Sequence, residues 1–447
     1  MRRVPPLLLS CLLLGAPTAP ASSGPATPPA PASTQAPLAL ASLPDEDGLA
    51  ALLWAHSPGF ATARARIASA RADLVRAGQL PNPELDLSWN TLPVGPTNPP
   101  GLDRLRDVPN YQVGLSQLIE LGKRGPRQDS ARAALAATAL DVLADLRERT
   151  YELLESAAEV ATSEVRLAEL ETLAADAARL TELQRARQRQ GDTAGLDVDR
   201  AVLEETQLQG QLAEEHSRLS NALLTCSRLS GLACTPFGGR EAAAAFLASR
   251  LSRAPGPSSV PQRPDLRALE AQQRSAQAAL TLARRRWLPD PTVRAGYVHD
   301  RFVESGNQKN SFFVGLSFPL PLFERGQADA LAASAQAEAA EQARSRLGAQ
   351  AERDEQSLTT QLEAVAARRE RVRNQTLPLA ADLVQRLEAA VKAGGASLQD
   401  LLFARRTYGQ VLMDAAELDL TAFHLSVALD RVRAAGPKAP PELGERL

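Results

Sequence analysis

The chain has 447 residues, 44% of them apolar, and a formal charge of −2. It can bury a large core, but it is too long for one ordinary globular domain unless the fold is elongated or repeated. Aromatics make up only 4%, while Ala, Leu, Arg, Glu and Gln fill most of the length, the composition of long helices and coiled coils. So small a net charge offers no basic stripe for phosphate, which argues against nucleic acid as a partner.

Residues 1–21 (MRRVPPLLLSCLLLGAPTAPA) join two arginines to an apolar run and a small-residue site at Ala19-Pro20-Ala21, the pattern of a secretory signal. An acylated N-terminus at Cys11 is the rival reading, weakened by the apolar residues that follow Cys11. Residues 22–44 are rich in Pro, Ala and Ser and read as a flexible lead-in. Cleavage would leave two cysteines, Cys226 and Cys234. An oxidising compartment permits a bridge between them, and two unpaired thiols are the alternative.

From residue 45 the sequence repeats itself. Val113-Gly-Leu-Ser recurs at Val314 (offset 201), Leu80-Pro-Asn-Pro recurs as Leu288-Pro-Asp-Pro (offset 208), and Gly191…Asp197…Ala201 recurs as Gly394…Asp400…Ala404 (offset 203). Landmarks in one order at near-constant separation indicate a duplicated half rather than a solenoid. The predicted copies are 45–235 and 263–435, with 236–262 as linker and 436–447 as a flexible tail. Each copy begins with a helix of about 25 residues, then has two alternating segments, then a very long helical stretch. In the first copy Gln128 to Gln190 contains no Gly or Pro, and Leu146, Leu153, Val160 and Leu167 fall seven apart, which is a coiled-coil seam. At 1.5 Å per residue that stretch spans about 95 Å. The sequence breaks at QGDTAGLD and returns antiparallel; the second copy breaks at AGGASLQD, with a kink expected at Pro378.

The alternating segments place Leu85, Leu87 and Trp89 on one strand face, Tyr111, Val113 and Leu115 on a second, Val293, Ala295 and Tyr297 on a third, and Phe312, Val314, Leu316 and Phe318 on a fourth. Windows 85–121 and 288–323 hold eight of the 17 aromatics, an enrichment matching interfacial girdles of a membrane barrel. Export, with no apolar run near 18 residues after the signal, leaves a barrel as the expected spanning structure. Four strands cannot close one, so the barrel must be shared; three chains would supply about twelve strands. The expected fold is therefore mainly α with a small β part, in which long antiparallel coiled coils form an α-barrel and four strands per chain join a trimeric transmembrane β-barrel.

Together the duplicated plan and the strings NPELDLSW, VGLSQLIELGKRGPR, RPDLRALEAQQRSAQAALTLARRRWLPDP and FFVGLSFPLPLFERGQADALAASAQAEAA resemble the TolC-type outer-membrane efflux factors. IELGKRGPR is most similar to the CzcC-like branch, which serves heavy-metal efflux pumps. The resemblance spans residues 45 to 435. It implies a homotrimeric duct in the cell outer membrane whose helical part crosses the periplasm and docks on an adaptor protein and an inner-membrane RND-type pump. In that reading Arg124-Gly125 and Arg325-Gly326 mark where strand becomes helix. Trp89, Tyr111, Val113, Leu115, Tyr297, Phe312, Val314, Leu316 and Phe318 face lipid or its interface. Gly191, Leu196, Gly394, Gly395 and Leu398 form the adaptor-docking tip. Asp400 occupies the position of the family's carboxylate ring, where like charges attract cations. Phe403 stands where relatives often carry a second acid, and Asp197 and Asp199 are candidate substitutes. Helix capping competes with the pore role at each Asp.

His56, His216, His299 and His424 lack partners at ligand spacing and no phosphate loop or nucleophile elbow occurs, so neither a metal site, a cofactor nor an enzyme is expected. Export of heavy-metal cations leads; a duct for organic compounds and a soluble periplasmic coiled-coil scaffold are the alternatives.

Overall fold

The computed structural model describes residues 36–90, 94–96, 100–104, 108, 110–191, 194–253, 256–299 and 308–440. The predicted signal at 1–21, residues 22–35 of the lead-in and residues 441–447 of the tail lie outside the described residues.

A short strand, β1 (Leu38–Ala39), precedes α1 (Glu46–His56) and α2 (Pro58–Gly78). Asp45 caps α1 by accepting the Gly48 N–H at 2.9 Å. The single helix expected before Leu80 is thus two, divided at Ser57, which is extended because the ring of Pro58 disfavours the helical region for the residue before it. Next come β2 (Glu84–Asn90) and β3 (Asn110–Leu118), then α3 (Arg124–Gln190), 67 residues and about 100 Å long. Gly191 ends α3 in the left-handed conformation at φ 84°, the usual glycine stop, and α4 (Gly195–Ser230) runs back.

After β4 (Cys234–Thr235) and α5 (Arg240–Leu251), the second copy repeats the plan with α6 (Pro264–Arg284), β5 (Thr292–His299) and β6 (Asn310–Ser317). Its long stretch comprises α7 (Gln327–Arg371), a π turn at Val372–Thr376 and α8 (Leu377–Lys392), followed by α9 (Leu398–Val432). The π turn directly precedes Pro378, whose missing N–H and ring clash disturb the helical ladder there.

Leu146, Leu153 and Val160 of the α3 seam are fully buried. They join a core in which α3 packs on α1, α2, α4, α5 and α9, with Leu49, Leu53, Ile67, Phe423 and Val427 as neighbours. Two segments read as flexible belong to this core. β1 pairs in parallel with β4 and buries Leu38, and Leu40 just after it is buried too, so the end of the lead-in packs on the core. In the tail, Arg147 donates to the Pro437 carbonyl at 2.9 Å and the Lys438 N–H donates to Asp47 at 2.8 Å. The linker 236–262 likewise contains α5, whose Ala243 and Leu247, four residues apart, are buried. Phe246 from the same helix stacks between Phe237 and Phe423 with ring centroids 4.9 and 5.5 Å away. Arg250 of α5 lies half-buried between Glu46 and Asp430, and burial pushes the Asp430 carboxyl above its ordinary range despite that arginine. A disulfide joins Cys226, in the last turns of α4, to Cys234 in β4.

The four long strands form one antiparallel sheet in the order β2-β3-β5-β6. Glu84 pairs with Ser116, Leu118 with Thr292, and Thr292 with Ser317, so all four helix connections leave one end of the sheet. β6 stops at Ser317, since Pro319 cannot donate to a ladder. Phe318, expected in the strand, therefore lies just beyond it.

At this end the repeated Arg-Gly pairs do different jobs. Gly326 is the N-cap of α7 at φ 82°, and a Cβ there would collide with the Ala283 carbonyl of α6. Gly125 instead sits in the first turn of α3 with open space around it; the left-handed glycine of the first copy is Gly122, at φ 71°. In the first copy the Arg-Gly pair therefore opens the helix at Arg124 rather than making the turn before it. Between the copies, Asp290 accepts the Leu121 N–H at 2.9 Å and the Lys123 ammonium at 2.7 Å. Gly326→Ala is expected to cost about 1–3 kcal/mol through backbone strain and collision. Gly125→Ala, inside a helix, is expected to be neutral or to stabilise by up to about 1 kcal/mol. Unfolding of the two purified variants in denaturant checks the contrast.

Candidate functional site

The sheet is two-faced. On one face Leu85 pairs with Leu115, Leu87 with Val113, Val113 with Tyr297, Ala295 with Val314, Tyr297 with Phe312 and Val293 with Leu316. Most of these side chains are exposed, Phe312 at 87% and Val314 at 82%. An apolar face this size left open marks an interaction surface. At the end away from the helices, Trp89 stacks on Tyr111 at 6.2 Å and Tyr111 lies 6.0 Å from His299. The opposite face carries Asp86, Ser88, Gln112, Ser116 and Arg294. Phe313 also lies on it, its ring reaching over Gly114 and Gly296, where a Cβ on either glycine would press into it. The glycine of the first VGLS thus leaves room for an aromatic ring from the second copy.

At the far ends of the long helices are two turns. The α3–α4 turn has Gly191 at its helix stop, and the α8–α9 turn has Gly394 at φ 76°, with the Gly395 N–H donating to the Ala390 carbonyl at 2.8 Å. Leu196 is exposed and Leu398 half-buried. The copies match in what they bury, Val198 and Ala201 in one and Leu401 and Ala404 in the other. They differ in what they present. Asp197 is 3.3 Å from Arg200 on the next turn, whereas Asp400 has Phe403 at the corresponding place. Ser397 Oγ donates to the Asp400 carboxylate at 2.6 Å and accepts the Asp400 N–H at 3.1 Å. Asp400 therefore takes part in a cap, yet it carries no cation partner among the described residues. Asp199 is exposed beside Arg200. The two hairpins are linked by Arg406, which donates to Glu204 at 2.7 Å and to Gln207 at 2.8 Å, and by the fit of Gly409 against Leu173. Among the described residues no group of three or more His, Cys, Asp or Glu could hold a metal ion.

Residues 258–432 match the family model described as outer membrane efflux protein. The chain is 26% identical to the cobalt-zinc-cadmium resistance protein CzcC of Cupriavidus metallidurans over 81% of its own length and 84% of that protein's. Its fold superposes on the outer membrane protein VceC of Vibrio cholerae with a TM-score of 0.68 at 20% identity, covering 87% of this chain and 96% of that one. The chain is similar to the outer membrane efflux proteins, over its second copy by the family model and over most of its length by the curated relative and the fold. It is a non-enzymatic outer-membrane efflux channel, and the soluble scaffold reading falls away. A further relative, the nickel-cobalt-cadmium resistance protein NccC of Alcaligenes xylosoxydans xylosoxydans, is 28% identical over 71% of this chain and 67% of that protein.

Three features of this efflux protein escaped sequence reading. The Ser397–Asp400 cap was legible in principle, since Ser followed three residues later by an acid before an apolar run is a helix-start signature. The Phe313 ring over Gly114 and Gly296 depends on pairing between strands nearly 200 residues apart and left no local trace. The Arg406–Glu204 link depends on how two hairpins pack. Ser397→Ala is expected to remove about 1 kcal/mol from the start of α9. Hydrogen exchange of the first-turn amides should accelerate roughly fivefold, while exchange in the middle of α9 stays unchanged.

Proposed function

We propose that this channel is a homotrimeric duct which receives heavy-metal cations from an inner-membrane RND-type pump through a periplasmic adaptor protein and releases them outside the cell. The observation that carries the duct reading is the sheet: four strands with an exposed apolar face and two edges, β2 and β6, unpaired among the described residues, in a chain similar to outer membrane efflux proteins. In a bilayer, open edges must be closed by further strands. The resistance proteins named above support a metal cargo, since their names specify cobalt, zinc, cadmium and nickel.

In this proposal Val113, Leu115, Val314 and Leu316 meet lipid acyl chains, and Trp89, Tyr111, Tyr297 and Phe312 lie nearer its interfaces. The turns around Gly191, Leu196, Gly394, Gly395 and Leu398 meet the adaptor. Asp400 rather than Asp197 supplies the constriction, because Arg200 offsets the charge of Asp197 and nothing equivalent offsets that of Asp400. Three such carboxylates about one axis would favour cations.

A deletion strain is expected to lose severalfold tolerance to zinc, cobalt, cadmium or nickel and to keep its tolerance to dyes and detergents. Loss of tolerance to the organic compounds alone would reject the metal cargo. In planar bilayers Asp400→Asn is expected to lower cation-over-anion selectivity more than Asp197→Asn does. Equal selectivity in wild type and Asp400→Asn would reject the constriction.

A further inference from the structure

The end of the sheet that meets the helices is charged differently from the other end. Residues 119–127, 284–290 and 318–326 carry seven arginines and lysines against three carboxylates, whereas the loops 91–109 and 300–309 balance four against four. The same collar exposes large apolar side chains: Trp287 at 62%, Leu320 at 73% and Phe323 at 91%. A 610 Å³ cavity opens there, lined by Lys123 and Arg286 together with Leu288, Leu320, Leu322 and Phe323. Several of the cations are engaged: Lys123 by Asp290, Arg127 by Glu120, and Arg286 by Glu324 and Asp329. Arg124 and Arg284 are exposed and have no carboxylate partner among the described residues, and the Arg325 guanidinium donates to the Leu322 carbonyl, within its own turn, with no carboxylate partner among the described residues.

We infer that this collar is a binding surface for anionic phospholipid in the membrane leaflet on the helix side, with Arg124, Arg284 and Arg325 meeting lipid phosphates while Trp287, Leu320 and Phe323 lie among the glycerol and upper acyl groups. The inference rests on the sheet spanning the membrane. Cations beside an apolar wall match a lipid that is charged at one end and apolar at the other, and interfacial aromatics anchor at this depth. A second copy fits less well. In the remaining junction at this end, residues 79–84, Glu84 is the one charge, so a neighbour using it would leave at least two of the three arginines without a counter-charge.

The test uses the full-length protein reconstituted in nanodiscs of mixed phosphatidylglycerol and phosphatidylcholine, with retained lipid counted by native mass spectrometry after detergent extraction. Wild type is expected to retain phosphatidylglycerol at least roughly fivefold over phosphatidylcholine at low salt, with the preference shrinking as salt is raised. The triple variant Arg124→Gln, Arg284→Gln, Arg325→Gln should lose that preference while keeping wild-type circular dichroism and bilayer insertion. Equal retention of the two lipids by wild type, or an undiminished preference in the triple variant, overturns the inference. So does efficient disulfide trapping of Leu80→Cys on one copy to Trp287→Cys on another, since it would show a neighbouring chain reaching past the strand edge to cover the collar. Failure of wild type to insert at all would instead overturn the membrane-spanning reading.

Discussion

Backbone hydrogen bonding at the two edges of the sheet is the constraint on which the rest depends. β3 and β5 are paired on both sides, but β2 and β6 each present a row of N–H and C=O groups with no strand partner among the described residues. In water such edges invite aggregation; within a bilayer each unpaired group costs several kcal/mol. A four-stranded sheet with open edges is therefore not by itself a stable membrane-spanning unit. The exposed apolar face and the lack of any helix long and apolar enough to cross a membrane among the described residues are consistent with this constraint.

The duplication explains how one chain supplies two hairpins whose strands all meet the helices at one end, but the copies are not equivalent. At the junction, the first copy turns at Gly122 and the second at Gly326, with Asp290 of the second copy holding Leu121 and Lys123 of the first. At the far turns, one copy offsets its acid with Arg200 and the other leaves Asp400 with a serine hydroxyl. An internal repeat conserves the folding plan while freeing single positions to diverge. Here the divergence falls at the two ends of the long helices.

Between those ends lies the region that fixes the helices relative to one another. α5, β1, the Cys226–Cys234 disulfide and the residues after α9 all pack around the buried stretch of α3. Arg250 joins three parts of the chain that are remote in sequence through Glu46 and Asp430. A buried ion pair is weak evidence for stability, because desolvation offsets the Coulombic gain. Its clearer effect is on register: misplacing α9 by a turn would put Ser426 or Ala434 where Asp430 stands and leave Arg250 without that carboxylate.

The sequence by itself determined the repeat, the long helices, the alternating strands and the glycine stops, since each is written in local periodicity or in a residue with a single backbone use, such as Gly191 and Gly394. It misjudged the segments whose composition is permissive. Residues 37–44 and 436–440 are rich in Pro and Ala and read as flexible, yet they are ordered by a core assembled from α1, α3, α5 and α9. Tertiary structure alone decided that Phe313 covers Gly114 and Gly296, that Gly122 and not Gly125 turns the chain, and that Arg406 ties one hairpin to the other. These contacts join residues far apart along the chain, so no local pattern encodes them. They exist only once the sheet register and the packing of the hairpins bring their atoms together.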